Sequence, residues 1–164
     1  MGLGFDPIAE AGRNWERRGW AETDAMLAAT SITRAHQILQ SRIDAALAPF
    51  DLNFSRFEVL ALLTFSRAGR LPMGKIGDRL QVHAASVTNT TRRLERSGFV
   101  ERVTAVGDGR MVLARILPAG RRVATRAATA LAEIEFGLDG MSPTARREIT
   151  DSLVAYRRAN HDFD

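Results

Sequence analysis

Residues 83–97 read HAASVTNTTRRLERS, and their spacing separates two kinds of side chain. At about 100° per residue on a helix, Val87, Thr91 and Leu94 share one face, while Ala85, Asn89, Arg92, Arg93 and Arg96 take the other. The second face is small near its start, carries an amide in the middle and is triply cationic at its end. An asparagine can pair bidentately with adenine and an arginine with guanine or phosphate. Ala85, Ser86 and Thr88 are short enough to approach a thymine methyl group. Such a face is equipped to read base edges in a DNA major groove. The plainer alternative is a solvated helix surface whose arginines only keep it soluble. Further on, Arg110 can enter a minor groove or hold a phosphate, and Asp108 can pair with an arginine of the reading helix. An ordinary Asp-Gly turn also accounts for Asp108.

The charge is distributed to suit this chemistry. Residues 70–126 hold 12 Lys+Arg against 4 Asp+Glu, whereas the residues on either side are mildly acidic. A basic middle on a near-neutral scaffold is the footprint of a polyanion-binding module. All of the basic residues except Lys75 are arginine. A GC-rich genome explains that bias, and the bias also supplies planar forks for phosphate and guanine.

Other chemistries are poorly served. The chain has no cysteine, which removes disulfides, thiolate metal sites, thiol nucleophiles and thiol redox sensing together. His36, His83 and His161 are too scattered to suggest a catalytic or metal site, and there is no glycine-rich phosphate loop. No enzyme, metal or cofactor is expected. No apolar run approaches the roughly 18–20 residues of a membrane span, and the first seven residues lack the cationic and apolar blocks of a signal peptide. A cytoplasmic location is expected, with no membrane partner.

The elements that must position the reading helix follow from pattern and punctuation. Asp6-Pro7 opens a short amphipathic helix carrying Trp15 and closing by Gly19. Residues 24–48 place Ile32, Ala35, Leu39, Ile43 and Ala46 on one stripe, a helix longer than a small core needs, so part of it packs on another chain. Ser55 and Glu58 have the spacing of a capping box, with Phe54 and Val59 as its hydrophobic staple, for a helix ending near Ser66. After a glycine-containing turn, residues 72–80 form a short helix weakened by Gly74 and Gly77. The reading helix follows and ends at Gly98. Residues 100–106 and 111–117 then change to strand-like composition around Gly107-Asp108-Gly109, a hairpin turn. Residues 118–138 form a second long helix with Val123, Ala127, Leu131 and Ile134 on one face. A last helix opens at Ser142-Pro143 and buries Ile149, Leu153 and Tyr156, and residues 160–164 fray.

The order helix, short helix, helix, hairpin is that of a winged helix-turn-helix. The expected fold is mainly α with a small β-hairpin wing (α+β), a winged helix-turn-helix flanked by long dimerisation helices. The expected parts are an arm over 1–23, a dimerisation helix over 24–53, the DNA-binding lobe over 54–117 and dimerisation helices over 118–164. The alternative from another class is a winged helix that docks an acidic protein through its arginine face.

The string VHAASVTNTTRRLERSGFVER over 82–102, the Asp108-Gly109-Arg110 triplet and Pro118-Ala119-Gly120 together resemble the MarR family of bacterial transcriptional regulators. The resemblance covers about residues 24–160. Leu117 stands where the family usually has threonine, so a side-chain cap on the following helix is not expected. What the resemblance implies is a homodimer interlocked through its first long helix and last two helices, binding an inverted repeat in double-stranded DNA. It also implies a repressor released when a small aromatic or acidic molecule binds between the dimer helices and the DNA-binding lobe. His36, on the apolar stripe, together with Phe54, Phe57 and Phe65 is a candidate site for such an effector, although a histidine there is more often a core or interface residue. Some family members that sense urate carry an extra N-terminal helix with a tryptophan. Trp15 and Trp20 are therefore a second candidate, with plain packing as the alternative.

Overall fold

The computed structural model describes residues 3–105 and 108–164, with the backbone alone at 108–110. The chain divides into two compact units, Met1–Ser41 and Arg42–Asp164.

In the first unit, helix α1 (Pro7–Arg17) starts where the sequence places it. The Asp6 carboxylate accepts from the Ile8 N–H at 2.9 Å, and Pro7 takes the first helical position, where a missing N–H costs nothing. Trp15 closes the turn that follows. Its indole N–H donates to the Ala21 carbonyl at 2.9 Å, and its ring meets Trp20 edge to face at 4.7 Å. Helix α2 (Thr23–Leu47) begins in this unit and ends in the next.

The second unit takes its core from the end of α2, where Ile43 and Leu47 are buried. Pro49 then forces a 3₁₀ turn, Ala48–Phe50, which closes at Asp51 in the left-handed region (φ 54°). Helices α3 (Phe54–Phe65), α4 (Met73–Leu80) and α5 (Ala84–Arg96) follow. Strands β1 (Arg70–Pro72), β2 (Val100–Ala105) and β3 (Asp108–Ile116) form one antiparallel sheet in the order β1-β3-β2. In it Leu71 faces Ala114 and Val100 faces Ile116, with an irregularity at Thr104/Ala105. Helix α6 (Pro118–Glu133) leads through a 3₁₀ turn, Glu135–Gly137, to α7 (Pro143–Ala159). Leu47, Leu60, Leu63, Ile76, Leu94 and Leu131 are fully buried at its centre.

Several local expectations are corrected. The α3 cap is not Ser55 but Asn53, whose side-chain oxygen accepts from the Arg56 N–H at 3.1 Å, while Asp44 accepts from the Phe54 N–H at 2.8 Å. Two upstream acceptors capture the helix start, and Glu58 is left without a capping role. Residues 70 and 71, expected in a turn, and Pro72, expected to open the short helix, form strand β1, too short to show period-2 patterning but paired along β3. The helix expected to reach 138 stops at Glu133. Glu135 and Phe136 adopt positive φ there, and Arg42 holds the Gly137 carbonyl at 2.9 Å and Asp139 at 2.5 Å. Ile149, Leu153 and Tyr156, expected to be buried, are exposed on α7, because periodicity marks a face as apolar without saying what covers it. Residues 160–163, expected to fray, close back on the end of α7 through backbone hydrogen bonds from residues 160–162 and the Phe163 ring. Gly107 and the side chains of Asp108 and Arg110 lie outside the described residues, whereas the backbone of Asp108 and Gly109, expected in the turn, opens β3.

Candidate nucleic-acid interface

The α4–α5 turn sets the reading helix. Gln81 ends α4 in the left-handed region (φ 53°), and two residues later His83 caps α5, its Nδ1 accepting from the Ala85 N–H at 3.2 Å. Inside, Val87, Thr91 and Leu94 are buried. Their burial fixes the rotation of the helix. Outside, Ala85, Ser86, Asn89, Arg92, Arg93 and Arg96 are exposed along one face, as the spacing requires. Thr88 is half-buried, and its hydroxyl donates to the Ala84 carbonyl of its own helix at 3.0 Å.

The three arginines are distinguished by what they lack. Among the described residues, no carboxylate pairs with the guanidinium of Arg92, Arg93 or Arg96. The nearby acids are taken: Glu95 holds Arg102 at 2.8 Å, and Glu101 holds Arg115 at 2.5 Å. The result is a cationic face with its counter-charge turned elsewhere. Arg93 and Arg96 also lie in the last turn of α5, where cations complement the helix dipole.

A second set of residues, not found from the sequence, braces this helix from behind. Ser97 donates its hydroxyl to the Asp51 carboxylate at 2.8 Å and stands 3.2 Å from the Arg93 carbonyl. Arg56 donates to the Asp51 carbonyl at 2.7 Å, to its carboxylate at 3.2 Å and to Asn53 at 3.2 Å. The junction between α2 and α3 is thereby tied to the end of α5. Ser97 and Asp51 are 46 positions apart, and no local period links them. Between the brace and the reading face is a polar notch of about 270 Å³, lined by Ser55, Arg56, Ser86, Asn89 and Arg93. Behind it, burial pushes the Glu58 carboxyl up from its ordinary value.

The brace has a pH signature. The Ser97 hydrogen bond, aided by Arg56, holds Asp51 below the usual aspartate range against the opposing effect of burial. A carboxyl with a depressed folded pKa stabilises the fold above its unfolded pKa, and that stability is lost as pH falls through the folded value. Asp51→Ala should therefore cost about 0.5–1 kcal/mol at pH 7, a modest sum because the pair is solvent-screened. The difference from wild type should shrink as pH falls below 4. Urea midpoints measured at both pH values check this, and an equal difference at the two would remove the brace.

The family model for MarR matches residues 52–112, which run from the brace through the reading helix into β3. The chain is 45% identical to Sco5413, a MarR family transcriptional regulator from Streptomyces coelicolor whose crystal structure superposes with a TM-score of 0.81, covering 87% of this chain and 99% of that one. The chain belongs to the MarR family. It is also 30% identical over 94 residues to the HTH-type transcriptional repressor Rv2887 of Mycobacterium tuberculosis, a match spanning 57% of this chain and 66% of that protein. Sco3205, another Streptomyces coelicolor regulator of the family, was solved in complex with DNA. It shares the fold at 20% identity, with a TM-score of 0.75 over 85% of this chain and 89% of that one.

The resemblance first carried by residues 82–102, 108–110 and 118–120 is thus borne out, as is the mainly helical winged fold. As a MarR-family member, the chain stands among transcriptional regulators rather than enzymes. As expected from Leu117, α6 begins without a side-chain cap. Among the described residues, no helix is long and apolar enough to cross a membrane. The effector candidates differ in setting. Phe57 is buried in the core, Phe54 rests against it and Phe65 is 81% exposed. His36 is exposed on the part of α2 that lies in the first unit. Trp15 donates to the Ala21 carbonyl and meets Trp20 edge to face, while Trp20 itself is exposed.

Proposed function

We propose that this MarR-family chain is a sequence-specific transcriptional regulator, a repressor, which binds an inverted repeat in double-stranded DNA as a homodimer. The observation that carries the proposal is the exposed α5 face, on which three guanidiniums have no intramolecular carboxylate among the described residues. In this reading Arg92, Arg93 and Arg96 hold phosphates and guanine edges, Asn89 reads adenine, and Ala85, Ser86 and Thr88 make the close contacts near the start of the helix. Arg110 on the wing adds a minor-groove or phosphate contact, with Asp108 orienting the wing. The exposed apolar residues Ile149, Leu153 and Tyr156 of α7 and Ile32 of α2 form the dimer interface with a second copy.

The protein acts in the cytoplasm, on the chromosome, without catalysing a reaction. Family membership supports control by a small aromatic or acidic ligand. Such a ligand releases DNA only if it binds more tightly to the arrangement of the reading helices that does not fit the operator.

Selection of bound fragments from genomic DNA tests the proposal. An inverted repeat with half-sites about one helical turn apart is expected. Retention of fragments without a shared motif, or binding of an acidic protein in place of DNA, would overturn it.

A further inference from the structure

The residues after α7 close onto the turn that introduces α5. His161 adopts the left-handed region (φ 56°), its N–H donates to the Arg158 carbonyl at 3.1 Å, and the Asp162 N–H donates to the Arg157 carbonyl at 3.1 Å. These are the paired bonds of a Schellman cap. Arg157 also donates to the Asp162 carboxylate, and the Phe163 ring lies 5.2 Å and 5.3 Å from the guanidinium carbons of Arg157 and Arg158. The tail is therefore fixed to its own helix.

One set of contacts leaves that helix. The Gln81 side-chain amide donates to the Asp162 carboxylate at 2.6 Å and to the Asp162 carbonyl at 3.1 Å, across 81 positions of sequence. Gln81 is the left-handed residue that ends α4, two positions before the cap of the reading helix. A single amide thus connects the end of α7 to the helix-turn-helix turn.

We propose that Asp162 is a positioning residue for DNA reading: by holding Gln81 it sets the angle at which α5 is carried relative to α7. The inference rests on the DNA-binding dimer proposed above. Two reading helices fit one operator only at one separation, so an element that fixes the lobe angle determines which half-site spacing is accepted. The hydrogen bond to a carboxylate is charge-assisted and stronger than a neutral one. Gln81 is exposed, so solvent weakens it, and its removal loosens the lobe without unfolding it.

The test measures binding of the full chain to the selected inverted repeat, to versions with one or two base pairs added to or removed from the spacer, and to a single half-site. Wild type should show one sharply preferred spacer. In Gln81→Ala and in Asp162→Ala, the penalty for a one-base-pair change should fall about threefold or more. The double variant should be no flatter than either single variant, and Asp162→Glu should recover the sharp profile. Expressing each affinity relative to the half-site removes the general effect of deleting a negative charge near DNA. Gln81→Ala leaves the α7 cap intact, so the test stands even if Asp162→Ala frays that helix. An unchanged spacer profile, additive flattening in the double variant, or tighter binding at the native spacing would each overturn the positioning role. A wild-type chain that binds no inverted repeat overturns the DNA-reading assignment and the positioning role together.

Discussion

Replacing Arg92, Arg93 and Arg96 together by alanine should abolish specific DNA binding while leaving the fold intact. Each guanidinium is exposed and free of intramolecular carboxylates among the described residues. Its deletion therefore breaks no ion pair among the described residues and opens no cavity, and surface changes of this kind stay within about 0.5 kcal/mol each. The loss in binding is larger because, in the reading proposed above, each arginine acts on the polyanion. At about 1–3 kcal/mol per direct contact, three contacts give at least about 3 kcal/mol, a loss of roughly 150-fold. The dependence of log K on log salt should flatten by up to about 2.7 if all three neutralise phosphates. If one reads guanine instead, the slope changes less and discrimination at one base pair disappears. Titrations at three salt concentrations, on selected and scrambled DNA, separate these cases. Wild-type affinity in the triple variant would mean that α5 is not the reading helix.

The reading helix was legible because it satisfies several local rules at once. Val87, Thr91 and Leu94 recur at helical spacing, Gly98 supplies the left-handed residue after the helix (φ 70°), and the arginines cluster opposite the apolar face. The hairpin was legible for the same reason, as was the start of α1 at Asp6-Pro7. The errors arose where a distant residue overrode a local signal. Ser55 and Glu58 have the spacing of a capping box, but Asp44, ten positions upstream of Phe54, supplies an acceptor one turn earlier. The turn beyond the end of α6 is held by Arg42, 95 positions from the Gly137 carbonyl that it bonds. Strand β1 exists only because β3 offers it a partner.

The site divides in the same way. The polar face of α5 could be read from its period alone, whereas the Asp51–Ser97 brace and the Gln81–Asp162 link could not, because each joins elements far apart in sequence. The last helix shows a different limit. Its apolar stripe was recognised, but periodicity reports only that a face is apolar. It does not report whether the same chain or a second one covers it. Ile149 and Leu153 are exposed among the described residues, and the dimer proposed above supplies a cover.

The largest loss of stability is expected from adding one methyl group, at Gly120. This residue follows Pro118 and Ala119 at the start of α6, where the chain leaves the sheet and passes the turn after α5. A Cβ at Gly120 would stand 2.2 Å from the Phe99 carbonyl oxygen and 3.0 Å from Ile116 Cγ1. The oxygen is backbone and accepts from the Leu117 N–H at 2.9 Å, so no rotamer change can relieve the clash. Relief requires α6 to withdraw from the α5–β2 turn, weakening that hydrogen bond and the packing of Val123, Ala124 and Ala127 beyond it. Gly120→Ala should therefore cost about 3 kcal/mol or more, the upper end for overpacking, and lower Tm by roughly 6–12 °C. Gly74→Ala is the matched control. A Cβ there meets nothing within 4 Å, and the residue lies inside α4. Replacing a helical glycine at an open position should stabilise the chain by about 0.4–1 kcal/mol. Thermal and urea unfolding of the two variants should thus shift in opposite directions. A Gly120→Ala chain as stable as wild type would mean that α6 does not approach Phe99 this closely, and the lobe would then have to join its long helix by another path.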